Sequence, residues 1–169
     1  MQPIMIPARI LAAYEKLKAD AHIKEMREHT AHGRTSVYAH SVSVTDLSLW
    51  IAVRTKLKRH RLENLIYAAM LHDFYLYDYH GRRTADGFHA WRHPERALAN
   101  AEKLFDLEPE VRNAIRCHMF PGTLFHMPLH AIGWIIVLAD KICAVLELAG
   151  RPDIIRVNLI PDLTPEPRP

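Results

Sequence analysis

Cysteine is nearly missing: Cys117 and Cys143 are the only two among 169 residues. A disulfide-stapled scaffold is excluded, and a reduced, cytoplasmic setting is the natural expectation. Glycine is also scarce, at six residues, which excludes a collagenous chain. Long hydrophobic runs are lacking. The longest, Ala131 to Ala139, has nine residues, far short of the ~20 that a bilayer span requires. The opening Met1-Gln2-Pro3-Ile4-Met5 has no basic segment leading into an apolar one, so no secretory leader is expected. Charge of one sign is not concentrated either. The net charge is only +3, with a pI near 9.0. The one basic stretch, Lys56 to Arg61, carries no interleaved aromatics, so it reads as a solvated helix end. Neither a nucleic acid polymer nor a membrane is an expected partner.

Histidine, by contrast, is plentiful, with 12 residues. It is the commonest protein metal ligand and titrates near neutrality. The remaining composition is that of an ordinary globular chain, 49% hydrophobic and 24% charged. At this length roughly 70% of the unfolded chain's surface becomes buried, enough for one sizeable core.

Apolar periodicity predicts an all-α fold. Ile6-Pro7 opens a helix with Ile10, Leu11, Tyr14 and Leu17 on one stripe, and a short helix over 20–28 follows. Thr35 or Ser36 can cap a helix running to Leu57, with Val37, His40, Val44, Leu47 and Ile51 on one face. Leu62 to Met70 forms another, ending in Leu71-His72-Asp73. The aperiodic stretch from Phe74 to Arg92 reads as a long loop. His93 then caps a helix with Pro94 in its first turn, running to Phe105. Glu108-Pro109 begins a further helix to Cys117, and His130 to Leu148 is a long apolar one stopped by Gly150. Residues 1–149 are expected to form one helical domain, with N-terminal helices over 6–29 and a core over about 33–149. The tail 150–169 holds five of the 11 prolines and is expected to be extended or mobile.

Polar donors interrupt these apolar faces. Asp140 sits within Trp134-Ile135-Ile136-Val137-Leu138-Ala139-Asp140, where an unpartnered carboxylate would cost several kcal/mol. His40 lies on the Val37/Val44/Leu47 face, and His72 extends the Leu65/Ala69 face. Singly, each has an ordinary reading as a hydrogen-bonded core residue. Jointly, His40, the doublet His72-Asp73, His93, His118 and Asp140 each fall on a different helix or helix end. A bundle converges such side chains on an interior point. Imidazoles with carboxylates suit one or two divalent ions per chain, from Fe, Mn, Co, Ni or Zn.

The order His…His-Asp…Asp, with Leu71-His72-Asp73 and Leu138-Ala139-Asp140-Lys141, resembles the HD-domain superfamily of metal-dependent phosphohydrolases. The likeness runs from about Gly33 to Leu148 and implies a compact HD-type bundle of about six or seven helices. His93 in His-Pro-Glu-Arg-Ala and His118 in Ile-Arg-Cys-His resemble the branch that holds two metals. By that resemblance His40, His72, Asp73 and Asp140 would hold one ion, and Asp73, His93 and His118 the other. Small bacterial dinucleoside-polyphosphate hydrolases of this type share the order and the closing Ala-Asp-Lys-Ile. They carry a lysine soon after the doublet, where Phe74-Tyr75-Leu76-Tyr77-Asp78 stands here. The Gly-Tyr-Pro signature of the cyclic-dinucleotide phosphodiesterases is absent.

Metal-activated water would attack phosphorus without a protein nucleophile, and Gly-x-Ser-x-Gly is missing. Cys117 reads as core. Phosphate charge calls for cations, for which Arg34, Arg82, Arg83, Arg92 and Lys141 are candidates; Asp73, Arg34 and Lys141 are the expected catalytic residues. The loop from Phe74 to Arg92 holds six of the chain's 14 aromatics, which either stack a nucleobase or fasten the loop to the bundle. His80, His89, His126 and His130 are weaker candidates for proton donors. The expected substrate is a nucleotide or another small phosphorylated metabolite, and homodimerisation stays open. Two alternatives share the ligand set: a mixed-valent di-iron oxygenase of the same superfamily, and a non-catalytic nucleotide-sensing module.

Overall fold

In a computed structural model of the chain, residues 4–76, 89–151 and 163–165 are described. The order is β1 (Ile4–Ile6), α1 (Ala8–Ala19), α2 (Ala21–Glu25), α3 (Val37–Arg54), α4 (Leu62–Leu71), α5 (His89–Ala101), α6 (Pro109–Cys117), α7 (Ala131–Leu148) and β2 (Leu163–Pro165). The fold is all-α, with seven α-helices among the described residues.

Local chemistry sets the helix ends. Ile6 precedes Pro7, whose ring disfavours the helical region for its neighbour, so Ile6 is extended and α1 starts after the proline. Asp20 caps α2 by accepting from the backbone N–H of His22 and Ile23, and a 3₁₀ turn over Met26–Glu28 completes the stretch. Ser36 caps α3, its hydroxyl accepting from the Ala39 N–H at 3.2 Å. That helix stops at Arg54, three residues short of the sequence expectation, because Lys56 takes a positive φ and Leu57 N–H returns to the Ala52 carbonyl. The same closure ends α7. Gly150 sits at φ +70°, its N–H donates to Glu147 O, and Arg151 N–H donates to Leu146 O.

A further helix boundary differs from the sequence expectation. The helix expected to start at His93 begins at His89, with Pro94 inside it, and ends at Ala101 rather than Phe105. A proline at the sixth position removes only one intrahelical bond, since the first four N–H groups have no such partner in any helix. Three residues of the tail, read as extended or mobile, form the extended strand β2. It pairs in parallel with β1, Ile4 opposite Leu163 and Ile6 opposite Pro165.

Central in the fold, α3 packs against α4 and α7, while α6 lies across α7 and α4, and α5 against α6. The sequence pattern gives α3 one apolar face. Its Ser41, Ser43, Thr45 and Ser48 are nevertheless buried, with Thr45 and Ser43 hydroxyls donating to carbonyls four residues back. No described helix is long and apolar enough to cross a membrane.

Candidate metal centre

The interior of the bundle collects the polar residues that the sequence singles out. His40 points in from the first turn of α3, and His72 and Asp73 leave the C-terminal end of α4. His93 comes from α5, His118 from the end of α6, and Asp140 from the middle of α7. All six are buried, none more than 6% exposed.

They form two groups. In one, His40 Nε2 lies 3.1 Å from Asp140 Oδ1 and His72 Nε2 lies 3.8 Å from the same oxygen. In the other, His93 Nε2 and His118 Nε2 approach to 2.8 Å. Asp73 stands between them. Its Oδ2 is 3.6 Å from His72 Nε2 and 3.8 Å from His40 Nε2, whereas its Oδ1 is 3.2 Å from His93 Nε2 and 3.4 Å from His118 Nε2.

The donor set fits divalent cations. Nδ1 of His72 donates to Ala69 O at 2.7 Å, and Nδ1 of His118 donates to Ile115 O at 2.8 Å. Those bonds fix the tautomers by network, leaving each Nε2 a lone pair aimed inward. His72 Nε2 and Asp73 Oδ1 are buried without any hydrogen-bond partner. Orphaned acceptors of this kind are costly, and a cation satisfies them together. Mixed imidazole and carboxylate donors suit Mn, Fe, Co, Ni or Zn.

The electrostatics of these side chains point the same way. Burial disfavours a charged His40, yet hydrogen bonds to Asp140 and Glu147 win and lift it to about 10. Burial lowers His72 to about 4, against the opposing charge of Asp73. Burial would raise both aspartates, but His72, His118 and His93 hold Asp73 well below the usual carboxylate range. His40, His72 and Lys141 do the same for Asp140. The pocket holds anions that demand positive charge.

The cationic candidates are distributed unevenly. Lys141 Nζ donates to Asp140 Oδ2 at 2.6 Å and to His118 O at 3.2 Å, so it ties α7 to the end of α6. Arg34 is exposed in the turn before α3, and Arg92 is exposed on the first turns of α5. Arg82 and Arg83 lie outside the described residues. Of the loop aromatics, Phe74 and Tyr75 are buried at 0% and 3%, and Asn100 donates to both their carbonyls. These two fasten the chain to the bundle and leave no face for a base, whereas Trp91 is exposed. Tyr77, Tyr79, Phe88 and His80 lie outside the described residues, as does the side chain of His89. His126 is on the surface near Glu95, and His130 is the residue preceding α7. Cys117 is buried, which pushes its thiol up to about 11.

Two residues beside the centre escape the sequence reading. Glu147 is buried, both its oxygens facing His40 Nδ1 at 2.9 and 3.1 Å. His32 packs its ring edge-on to His40, centroids 5.0 Å apart, and offers a ring nitrogen near both His40 and Glu147. Burial holds the His32 imidazole below its ordinary value. A signal for Glu147 was present, because it lies seven residues after Asp140 on the same face of an apolar helix. His32 sits in an irregular turn, where periodicity says nothing.

The family model described as HD domain matches residues 37–145, well over half of the chain. No curated protein and no solved structure matches it.

Proposed function

The chain belongs to the HD domain family, and on that premise we propose that it is a metal-dependent phosphohydrolase acting on a nucleotide or another small phosphate ester. The observation that carries this reading is Asp73, whose two oxygens each face a different group of imidazoles. His40, His72, Asp140 and one oxygen of Asp73 would hold one divalent ion; the other oxygen, His93 and His118 would hold a second. Such a pair of ions, when bound, supplies an acidified water and neutralises phosphoryl oxygens.

The chain's own residues supply placement. Lys141 holds Asp140 by its Oδ2, so the orientation of that carboxylate is fixed before substrate arrives. Two hydrogens of the Lys141 ammonium go to oxygens and the third faces only the weak acceptor Met119 Sδ, 3.9 Å from Nζ; that third hydrogen would turn to a phosphate oxygen of the substrate. Arg34 lies two residues from His32, which flanks His40, and is exposed; its planar fork would suit a phosphate there. Among the described histidines outside the six donors, His32 is the one whose ring packs against His40; held towards its neutral form by burial, it would take up or pass on a proton beside the centre. A reduced, cytoplasmic setting accords with two free, buried cysteines.

The test is phosphate release from a panel of nucleotides and sugar phosphates, using protein loaded separately with Mn(II), Co(II) or Fe(II). Metal-stimulated release that is lost in Asp73→Asn supports the proposal. Oxygen consumption by iron-loaded protein without phosphate release would replace it with oxygenase chemistry.

A further inference from the structure

Glu147 stands two residues beyond the segment matched by the family model. It is 5% exposed and lies in the last turn of α7. A carboxylate is expensive there twice over: it is desolvated, and it sits at the negative end of a helix dipole. An apolar side chain would pack at less cost. What offsets the expense is the N–H of His40 Nδ1, bonded to both oxygens at 2.9 and 3.1 Å.

Three imidazoles of the centre are therefore held in two different ways. His72 and His118 give their Nδ1–H to neutral backbone carbonyls of their own helices, at 2.7 and 2.8 Å. His40 gives its own to a buried anion from another helix, 107 residues away. An anionic acceptor makes the opposite nitrogen a stronger donor and fixes the ring more firmly. The His40 group also has Asp140, whereas among the described residues the His93–His118 group has only Asp73 for its carboxylate.

We propose that Glu147 is a positioning residue for His40, and that it makes the His40 centre the tighter of two unequal metal sites. The proposal rests on the metal-centred reading of the preceding subsection, and it concerns affinity rather than turnover.

The test is equilibrium dialysis of Mn(II) against the full-length chain, wild type beside Glu147→Gln and Glu147→Leu. Wild type should show a tighter and a weaker class of site. Glu147→Leu should weaken the tighter class about tenfold to a hundredfold and leave the weaker class alone. Glu147→Gln should fall between, because its amide oxygen still accepts the His40 N–H but carries no charge. Wild-type affinities in Glu147→Leu, equal weakening of both classes, or a single class in wild type would each overturn the proposal. Should Glu147→Leu lose its helical circular dichroism, Glu147→Gln decides alone: a weakened tighter class supports the proposal, and an unchanged one overturns it. Wild-type protein that takes up no Mn(II) would instead remove the metal-centred reading itself, and this proposal with it.

Discussion

Asp73 differs from its neighbours in serving both groups of imidazoles, 3.2 Å from His93 on one oxygen and 3.6 Å from His72 on the other. Asp73→Ala should therefore lose metal and activity together; unchanged metal content by elemental analysis would show that the carboxylate does not bridge. His93→Ala touches one group only and should cost about one metal per chain if the centre is dinuclear. Acid–base behaviour follows from the same residues. Metal-free His40 titrates at about 10 when folded, above its ordinary 6.5. The stability it contributes is complete below pH 6.5 and is lost as pH rises toward 10. His72 is shifted the other way, to about 4, so stability falls as pH drops from 6.5 toward 4. Metal-free protein should melt highest near pH 6.5 and lower on both sides, measured by calorimetry in chelator. His40, His72 and Asp140 are legible in the sequence as polar residues on apolar faces, because burying such groups demands a partner, whereas Asp73, His93 and His118 are marked only by their order along the chain and their places at helix ends. Glu147 obeys the same rule but was missed, since its partner is a ligand's far nitrogen and not a place in the ligand order.

Helix ends were the most readable elements, because caps are decided by adjacent residues. Ser36 and Gly150 stand where the sequence puts them, and each tests a different device. Ser36→Ala removes the hydroxyl that accepts from Ala39 and should cost about 1 kcal/mol by denaturant titration. Gly150→Ala places a Cβ at φ +70°, where nothing crowds it within 4 Å. The cost is then conformational, about 1 kcal/mol. A larger loss would mean that the turn after α7 also carries packing. What the sequence concealed was decided at longer range. Pro94 reads as a helix start, but the helix begins at His89, and the proline gives up one bond inside it. The buried hydroxyls of α3 look like a solvent face until α4 and α7 close over them. β2 has no alternating pattern to betray it, being three residues opposite three.

At the scale of the whole molecule, the centre joins α3, the end of α4, α5, the end of α6 and α7 through single side chains. Ions bound there would thus act on the fold as well as on any substrate. Stripping them should lower the melting temperature: an ion held at a hundredfold excess over its dissociation constant contributes ~2.7 kcal/mol per site. A chelator that leaves the melting curve of the metal-loaded protein unmoved would contradict this. The donors also sit far apart along the chain, at 40, 72, 73, 93, 118 and 140. Zinc fingers gather ligands within a few residues of one another; here no short peptide owns more than the His72-Asp73 pair. A nascent or unfolded polypeptide consequently offers no cage to passing cations. Uptake would have to wait until the helices have docked, and the identity of the ion would then be chosen by a finished cavity in whichever compartment folding takes place.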